Sequence, residues 1–354
     1  MITITKELFG KKPCGCEVYA YTVENKNGAS IRVLSMGGIL QQINMPDRDG
    51  KLADVVCGFD SVDDYLNGGG YHGSLIGRYG NRIANGRFTL DGVTYQLAQN
   101  SGISNHLHGG NVGFNQKIWD VTPFEKADES GLILKMTSPD GDENYPGKLD
   151  VTVTYTLTDK NELKIHYEAV TDKNTIVNMT NHSYFNLDGF DSGDILDEIL
   201  TVDADSITEI DENLIATGRE YPVEGTPFDF RKPEKVGARI NDKSDPQIVF
   251  GGGYDHNFNL KPDGTVKKVA ELYSPKSGRV MDVYTDQPGV QIYAANMMDG
   301  DVPFKKGVKQ EPRHAICLET QHAPDSPNHP NFPTTELKVG EKYDTTTIYA
   351  FSVR

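Results

Sequence analysis

The sequence predicts an all-β protein, a large antiparallel β-sandwich, and three observations carry that prediction. Apolar residues recur with a period of two in the clearest segments, Gly 36 and Pro 18 punctuate those segments, and no strand pattern alternates with a helical one. The last point weighs against a parallel sheet wrapped by helices. No fixed-period repeat, low-complexity tract or linker-like shift in composition divides the chain, so one domain over residues 1–354 is the simplest expectation.

Taken in chain order, residues 61–66 read as one or two helical turns. Phe88-Thr-Leu, Asp91-Gly92 and Val93-Thr-Tyr read as a hairpin, with Asp-Gly supplying the positive φ of a type I′ turn. Val151, Val153, Tyr155 and Leu157 alternate with threonines. After a polar turn at 159–161, Leu163, Ile165 and Tyr167 alternate with Lys164, His166 and Glu168. That is a second hairpin, each strand with one face in the core, and it leaves His166 in solvent. Residues 233–238 are a second short helical candidate. Residues 271–274 and 279–284 form a third strand pair, followed by a turn at 286–289 and a strand at 290–293. The chain closes on a strand at 347–353.

Lys+Arg 35 against Asp+Glu 51 gives a net charge of −16. Such a protein repels phosphates, so neither nucleic acid nor an anionic membrane surface is an expected partner. Mean hydropathy is −0.50, and no apolar run approaches the roughly 18 residues that span a bilayer. The start, MITITKELFGKK, has no apolar h-region, which predicts no signal peptide and a cytoplasmic location. Cys 4 is too few for a disulfide framework, and Cys14-Gly-Cys16 is too tight for a zinc pair, so reduced thiols are expected.

Phosphate-loop, dinucleotide, elbow-serine and zincin signatures are all absent from the sequence. Polar clusters set beside glycine or aromatic residues remain. Residues 77–86 (GRYGNRIANG) present Asn81 and Arg82 as a fork of donors on a chain that glycines allow to approach a ligand. A solvated turn is the bland alternative. In Asn105-His-Leu-His-Gly-Gly110, period two would place His106 and His108 on one strand face, where a hydrogen-bonding role is favoured over a metal site. In Asn181-His-Ser-Tyr-Phe-Asn-Leu187, His182 sits among small and aromatic neighbours, as a tuned proton carrier or a satisfied core histidine. Asp255-His-Asn-Phe258 follows a glycine run. Glu319 closes the apolar stretch 315–318, where desolvation would raise its pKa and make it a base. The proline-dense segment after it cannot pair as a strand and reads as a rigid loop lining a site.

At these clusters the chain resembles the aldose 1-epimerases of the galactose mutarotase type. GRYGNRIANGRF, LHGGxxGFxxxxW (residues 107–119), NHSYFNL, DHNF, QPGVQ and ETQHxPDSPNHPxFP occur in the family's order over roughly residues 17–354. The resemblance implies a β-supersandwich, in agreement with the strand reading. It implies Glu319 as general base and His182 as general acid. Asn81, Arg82, His108, Asp255 and Gln291 would hold the hydroxyls of a monosaccharide, with neither cofactor nor metal. The sequence departs from the family at 294–298 (AANMM), where Met297 offers a soft apolar surface in place of an aromatic one. A hexose 6-phosphate epimerase would need an extra basic cluster, whereas the motifs supply one strong cation, Arg82. A sugar-binding protein without catalysis could dispense with the two proton carriers. A glycoside hydrolase would need a carboxylate pair; Asp255 and Glu319 could be imagined as one, but the sequence gives no separation between them, and this reading ranks last.

Overall fold

The structure, a computed structural model, describes residues 3–354. Its strands fall into three larger antiparallel sheets and several two-stranded pieces. The first is a five-stranded meander in chain order: Thr3–Lys11, Glu17–Glu24, Ser30–Leu34, Leu40–Pro46 and Leu52–Asp54. The second has nine strands. From Asp120–Glu125 it runs through Glu129–Ser138, Leu149–Thr158 and Glu162–Thr171 to the C-terminal strand Tyr343–Val353. It continues through Arg279–Thr285, Lys267–Tyr273 and Ile199–Val202 to Glu234–Lys235. The third places Ala216–Pro222, Ser206–Ile210, Asp255–Asn259, Gly289–Tyr293 and Cys317–Gln321 side by side. One apolar cluster joins all three, with Ile31 and Ile43 from the first sheet, Leu134, Val153 and Tyr349 from the second, and Phe258, Val290 and Leu318 from the third.

The period-two hairpin pairs as its pattern requires, Val153 opposite Tyr167 and Tyr155 opposite Ile165. The alternating residues bury Val153, Tyr155 and Ile165 completely. His166 stands on the solvent face, 2.8 Å from Asp344. The Asp-Gly hairpin is present, and both turn residues have positive φ, 51° at Asp91 and 76° at Gly92. The helix Val62–Asn67 forms because Ser61 caps it, its side chain accepting from the backbone N–H of Asp64.

Several expectations change. The segment 233–238 is a two-residue strand followed by a 3₁₀ turn at Val236–Ala238, too short for an α-helix. The turn at 286–289 does not fold the chain back onto its own sheet. Arg279–Thr285 belongs to the nine-stranded sheet and Gly289–Tyr293 to the third, so this turn carries the chain between layers. Cys14 and Cys16 are joined as a disulfide. The tight spacing that rules out a zinc pair still lets a turn bring the two Cα atoms to 5.5 Å. Two short elements carry no period-two signal: the helix Pro246–Gly251, capped by Asp245, and the edge strand Leu52–Asp54.

Candidate active site

Three adjacent strands of the third sheet supply one wall. Gln291 lies directly opposite Glu319 on one side and Asn257 on the other, while Asp255 lies opposite Tyr293. A carboxylate in the middle of a buried strand is costly unless something uses it. Glu319 is 2 % exposed, and its Oε2 has no hydrogen-bond partner. Burial pushes its pKa well above the usual carboxylate range; the nearby Asp255 charge adds to this and Arg82 opposes it.

The facing wall comes from loops. His182, on the short pair that joins Thr180–Asn181 to Leu75–Ile76, has its backbone fixed at both ends: its N–H donates to Ser74 and its carbonyl accepts from Gly73. This brings its Nε2 to 3.5 Å from Glu319 Oε1. Its Nδ1 lies 3.5 Å from the thiol of Cys317. Burial lowers the His182 pKa to about 4. The ring stacks on Tyr184, 4.9 Å between centroids.

His108 completes the group, with its ring 5.2 Å from that of His182. Its φ is 49°, a left-handed conformation that turns it off the strand His106–Leu107. Period two therefore does not put the two histidines on one face. His106 points to Tyr145 Oη at 2.6 Å and to the Ala98 carbonyl, a satisfied core position. The Nδ1 of His108 accepts from the backbone N–H of Asn81, which leaves Nε2 as the N–H donor of the neutral ring. Burial, then the neighbouring His182 and Arg82, hold its pKa well below the usual value.

Arg82 pairs opposite Leu107, and its carbonyl accepts from the N–H of Asp325 in the proline-dense loop. Asp325 also accepts from the N–H of Ala84, so this loop props the arginine from below. Among the described residues no carboxylate lies within 4 Å of the Arg82 guanidinium, although its charge acts on Asp255, Glu319 and His108. Asp255 accepts from Gln291 Nε2 at 2.7 Å. Asn81 spends its side-chain oxygen on the N–H of Arg82. All seven candidate residues thus surround one place. Arg82 also lines a cavity of about 660 Å³ that none of the other six candidates reaches, together with the 64 % exposed Met297, Asp211 and Glu212.

Sequence reasoning missed Tyr71, Tyr184 and Cys317. Tyr184 stands two residues after His182, within reach of a period-two argument. Tyr71 lies over His108 at 4.6 Å, and its positive φ of 58° follows the glycine run 68–70. Arg78, in the same motif as Arg82, points the other way into the core. The atoms of His108, His182 and Glu319 that could ligate a metal lie within 4.8 Å of one another. That spacing would admit a cation, and equally lets the three side chains act on one small bound molecule.

Gly109 fixes the His108 turn. A Cβ there would meet the Gly77 carbonyl oxygen at 1.9 Å, and φ is +86°. Gly109→Ala is expected to cost about 1–3 kcal/mol from overpacking. It should also lower activity by displacing His108. Thermal unfolding and polarimetry on the same sample read both effects.

The chain matches the family model described as aldose 1-epimerase over residues 19–350. It is 42% identical over 353 residues to the galactose mutarotase of Bos taurus, covering 100% of both chains. To the aldose 1-epimerase of Escherichia coli it is 36% identical over 342 residues, covering 96% of each. Its fold matches the galactose 1-epimerase of Lactobacillus acidophilus with a TM-score of 0.87 and 29% identity, covering 100% of this chain and 99% of that one. A family-model match over nearly the whole chain, together with full-length relatives at 36–42% identity, means that the chain belongs to the aldose 1-epimerase family.

Proposed function

We propose that this chain interconverts the α and β anomers of free hexoses such as D-galactose and D-glucose, with Glu319 and His182 as the proton carriers. The observation that carries the assignment is the 3.5 Å approach of His182 Nε2 to a buried Glu319 whose second oxygen is unpartnered. Glu319 takes the proton of the anomeric O1 hydroxyl, and His182 delivers one to the ring oxygen O5. The C1–O5 bond breaks and leaves an open-chain aldehyde. Rotation about C1–C2 presents the other carbonyl face. His182 then takes the O5 hydroxyl proton as O5 attacks C1, and Glu319 returns a proton to O1. Protons and electrons balance with no cofactor.

His108 and Arg82 stabilise negative charge developing at O1 and O5. Asn81, Asp255 and Gln291 hold the remaining hydroxyls. The pair needs one proton between its two members, and burial favours the arrangement with neither charged. Sugar hydroxyls and the Arg82 charge would draw that proton toward His182 when substrate binds. An uncharged sugar is supported by the shortage of cations: among the candidate residues Arg82 is the one arginine or lysine, too little to hold a phosphate dianion beside Asp255 and the buried Glu319. We place the activity in one structural unit spanning the chain. No helix among the described residues is long and apolar enough to cross a membrane.

Polarimetry of freshly dissolved α-D-galactose and α-D-glucose, with chelator-treated protein, tests the assignment. Faster decay to the same final rotation is expected. Unchanged decay from folded protein would overturn it.

The pH profile of kcat/KM follows from the pair. Below about pH 4 His182 holds its proton in the free protein while Glu319 also keeps its own, so no base remains and activity falls. Above the raised pKa of Glu319 the pair loses its shared proton, so the alkaline limb lies well above the ordinary carboxylate range. Asp255→Asn removes a charge that raises the Glu319 pKa, so it should shift the alkaline limb to lower pH. An alkaline limb that stays in place in this variant would detach Asp255 from Glu319.

A further inference from the structure

We propose that the tip of the N-terminal hairpin is a thiol–disulfide exchange site. Cys14 and Cys16 would cycle there between a dithiol and an intramolecular disulfide, using a small-molecule disulfide of the glutathione kind as oxidant. Mutarotation moves protons and no electrons, so the reaction at the sugar site has no use for this pair.

The strands Thr3–Lys11 and Glu17–Glu24 are joined by a turn whose backbone is already closed. The N–H of Lys12 donates to the Cys16 carbonyl at 2.9 Å, and that of Gly15 to the Lys12 carbonyl at 2.8 Å. Gly15 adopts φ +83°, and nothing lies within 4 Å of the place its Cβ would occupy. Glycine between the two cysteines thus lets the turn set their Cα atoms 5.5 Å apart, where a disulfide can form without moving strands. The Lys12 ammonium donates to the Gln116 carbonyl at 2.6 Å, which holds the tip against the body of the protein.

Exposure separates this pair from the other two thiols. Cys14 and Cys16 are both exposed, whereas Cys57 and Cys317 are buried and their pKa values are pushed up by desolvation. Thiolates attack disulfides, so the buried pair is inert and the exposed pair is available. The charge around the tip is balanced, with Lys11 paired to Glu17 at 3.2 Å and Lys12 held by Gln116, so exposure and spacing are what set this pair apart. A bridge between residues two apart constrains the unfolded chain far less than one that closes a long loop. Little folding free energy therefore opposes its reduction, and an exposed bridge of this kind belongs to the labile class.

The exchange balances in two steps. One cysteine thiolate attacks a sulfur of oxidised glutathione, forming a mixed disulfide and releasing one glutathione thiolate. The second cysteine thiolate attacks the protein sulfur of that mixed disulfide, closes the Cys14–Cys16 bond and releases the other. The protein loses two electrons and two protons, and oxidised glutathione becomes two molecules of the thiol.

The test uses the full chain, reduced with dithiothreitol, desalted, exposed to oxidised glutathione, trapped under native conditions with N-ethylmaleimide and read by intact mass. Before oxidation, wild type should take up two more maleimides than the Cys14→Ser/Cys16→Ser double variant. After oxidation that difference should vanish, with the mass two hydrogens lower and no glutathionyl group retained. Excess reduced glutathione should restore the two sites. The single variants Cys14→Ser and Cys16→Ser, each lacking its resolving thiol, should each keep one glutathionyl group. A wild-type protein that retains a glutathionyl adduct, or a maleimide difference below two before oxidation, would overturn the proposal.

Discussion

Glu319→Gln lowers the mutarotation rate by about 10²–10⁴-fold, the usual worth of one positioned proton carrier. The fold survives, because Gln is nearly isosteric and the replaced group is already under strain from its surroundings. Glu319 lies 2 % exposed, and its Oε2 accepts no hydrogen bond. Its burial opposes ionisation, and the Asp255 charge opposes it further. An amide escapes that cost, so the variant should unfold at or above the wild-type temperature while its activity is lost. Loss of activity together with a large fall in melting temperature would instead make Glu319 a structural residue. Sugar affinity separates the roles again: Gln keeps an acceptor at Oε1, so a titration of the variant with galactose should still saturate. Binding without turnover is the signature of a proton carrier, because hydroxyl recognition remains intact when the general base is removed.

The strands that frame the core were legible wherever one face is buried and the other wet. The 151–157 and 163–167 segments show this most clearly, since their alternation carries straight into burial. Glu319 was legible for a related reason: a charged residue ending an apolar run contradicts its surroundings, and such contradictions gather at functional positions. His182 and Asp255 stood out only once the motifs were taken together, since a lone histidine or aspartate has no distinctive local signal. The depth at which the sequence failed is also physical. Nothing local tells that His106 and His108 diverge, because the divergence rests on a left-handed φ at His108 and on the close approach of Gly109 to Gly77. Residues 286–289 carry good turn chemistry, yet turn chemistry does not say whether the next strand joins the same sheet. The disulfide at Cys14 and Cys16 depends on the geometry of a single turn, which composition cannot report.

Arg78 and Arg82 stand four residues apart in one motif and do opposite work, and Arg78→Met should make that visible. Arg78 is 1 % exposed, and no carboxylate lies within 4 Å of it among the described residues. Its guanidinium instead organises neutral oxygens. One nitrogen donates to the carbonyls of Pro146 and Gly147 at 2.8 and 2.9 Å and to Thr175 Oγ1 at 3.2 Å; the other donates to Ser138 Oγ at 2.7 Å. Burial lowers its pKa to about 10, so it still carries its charge at neutral pH. The planar fork reaches three separate chain segments at once, and Met would fill the volume but satisfy none of these acceptors. Leaving these acceptors unpaired is expected to cost about 1–3 kcal/mol for each one that stays dry, which for a chain of 354 residues amounts to a fall of about 1–4 °C in melting temperature per group. Arg78→Lys should recover part of this, since an ammonium donates from a single point. Arg82→Met should leave the melting temperature nearly unchanged and weaken sugar turnover instead, because that guanidinium faces the site and has no ion-pair partner. The guanidinium of Arg78 also lies 5.5 Å from the centre of the Tyr145 ring, whose hydroxyl meets His106 at 2.6 Å, two residues before His108. Some loss of activity in Arg78→Met is therefore expected to accompany its instability and to be relieved by Arg78→Lys. A Met variant at position 78 as stable as wild type would mean that water, entering the space, satisfies those carbonyls as well as the guanidinium does.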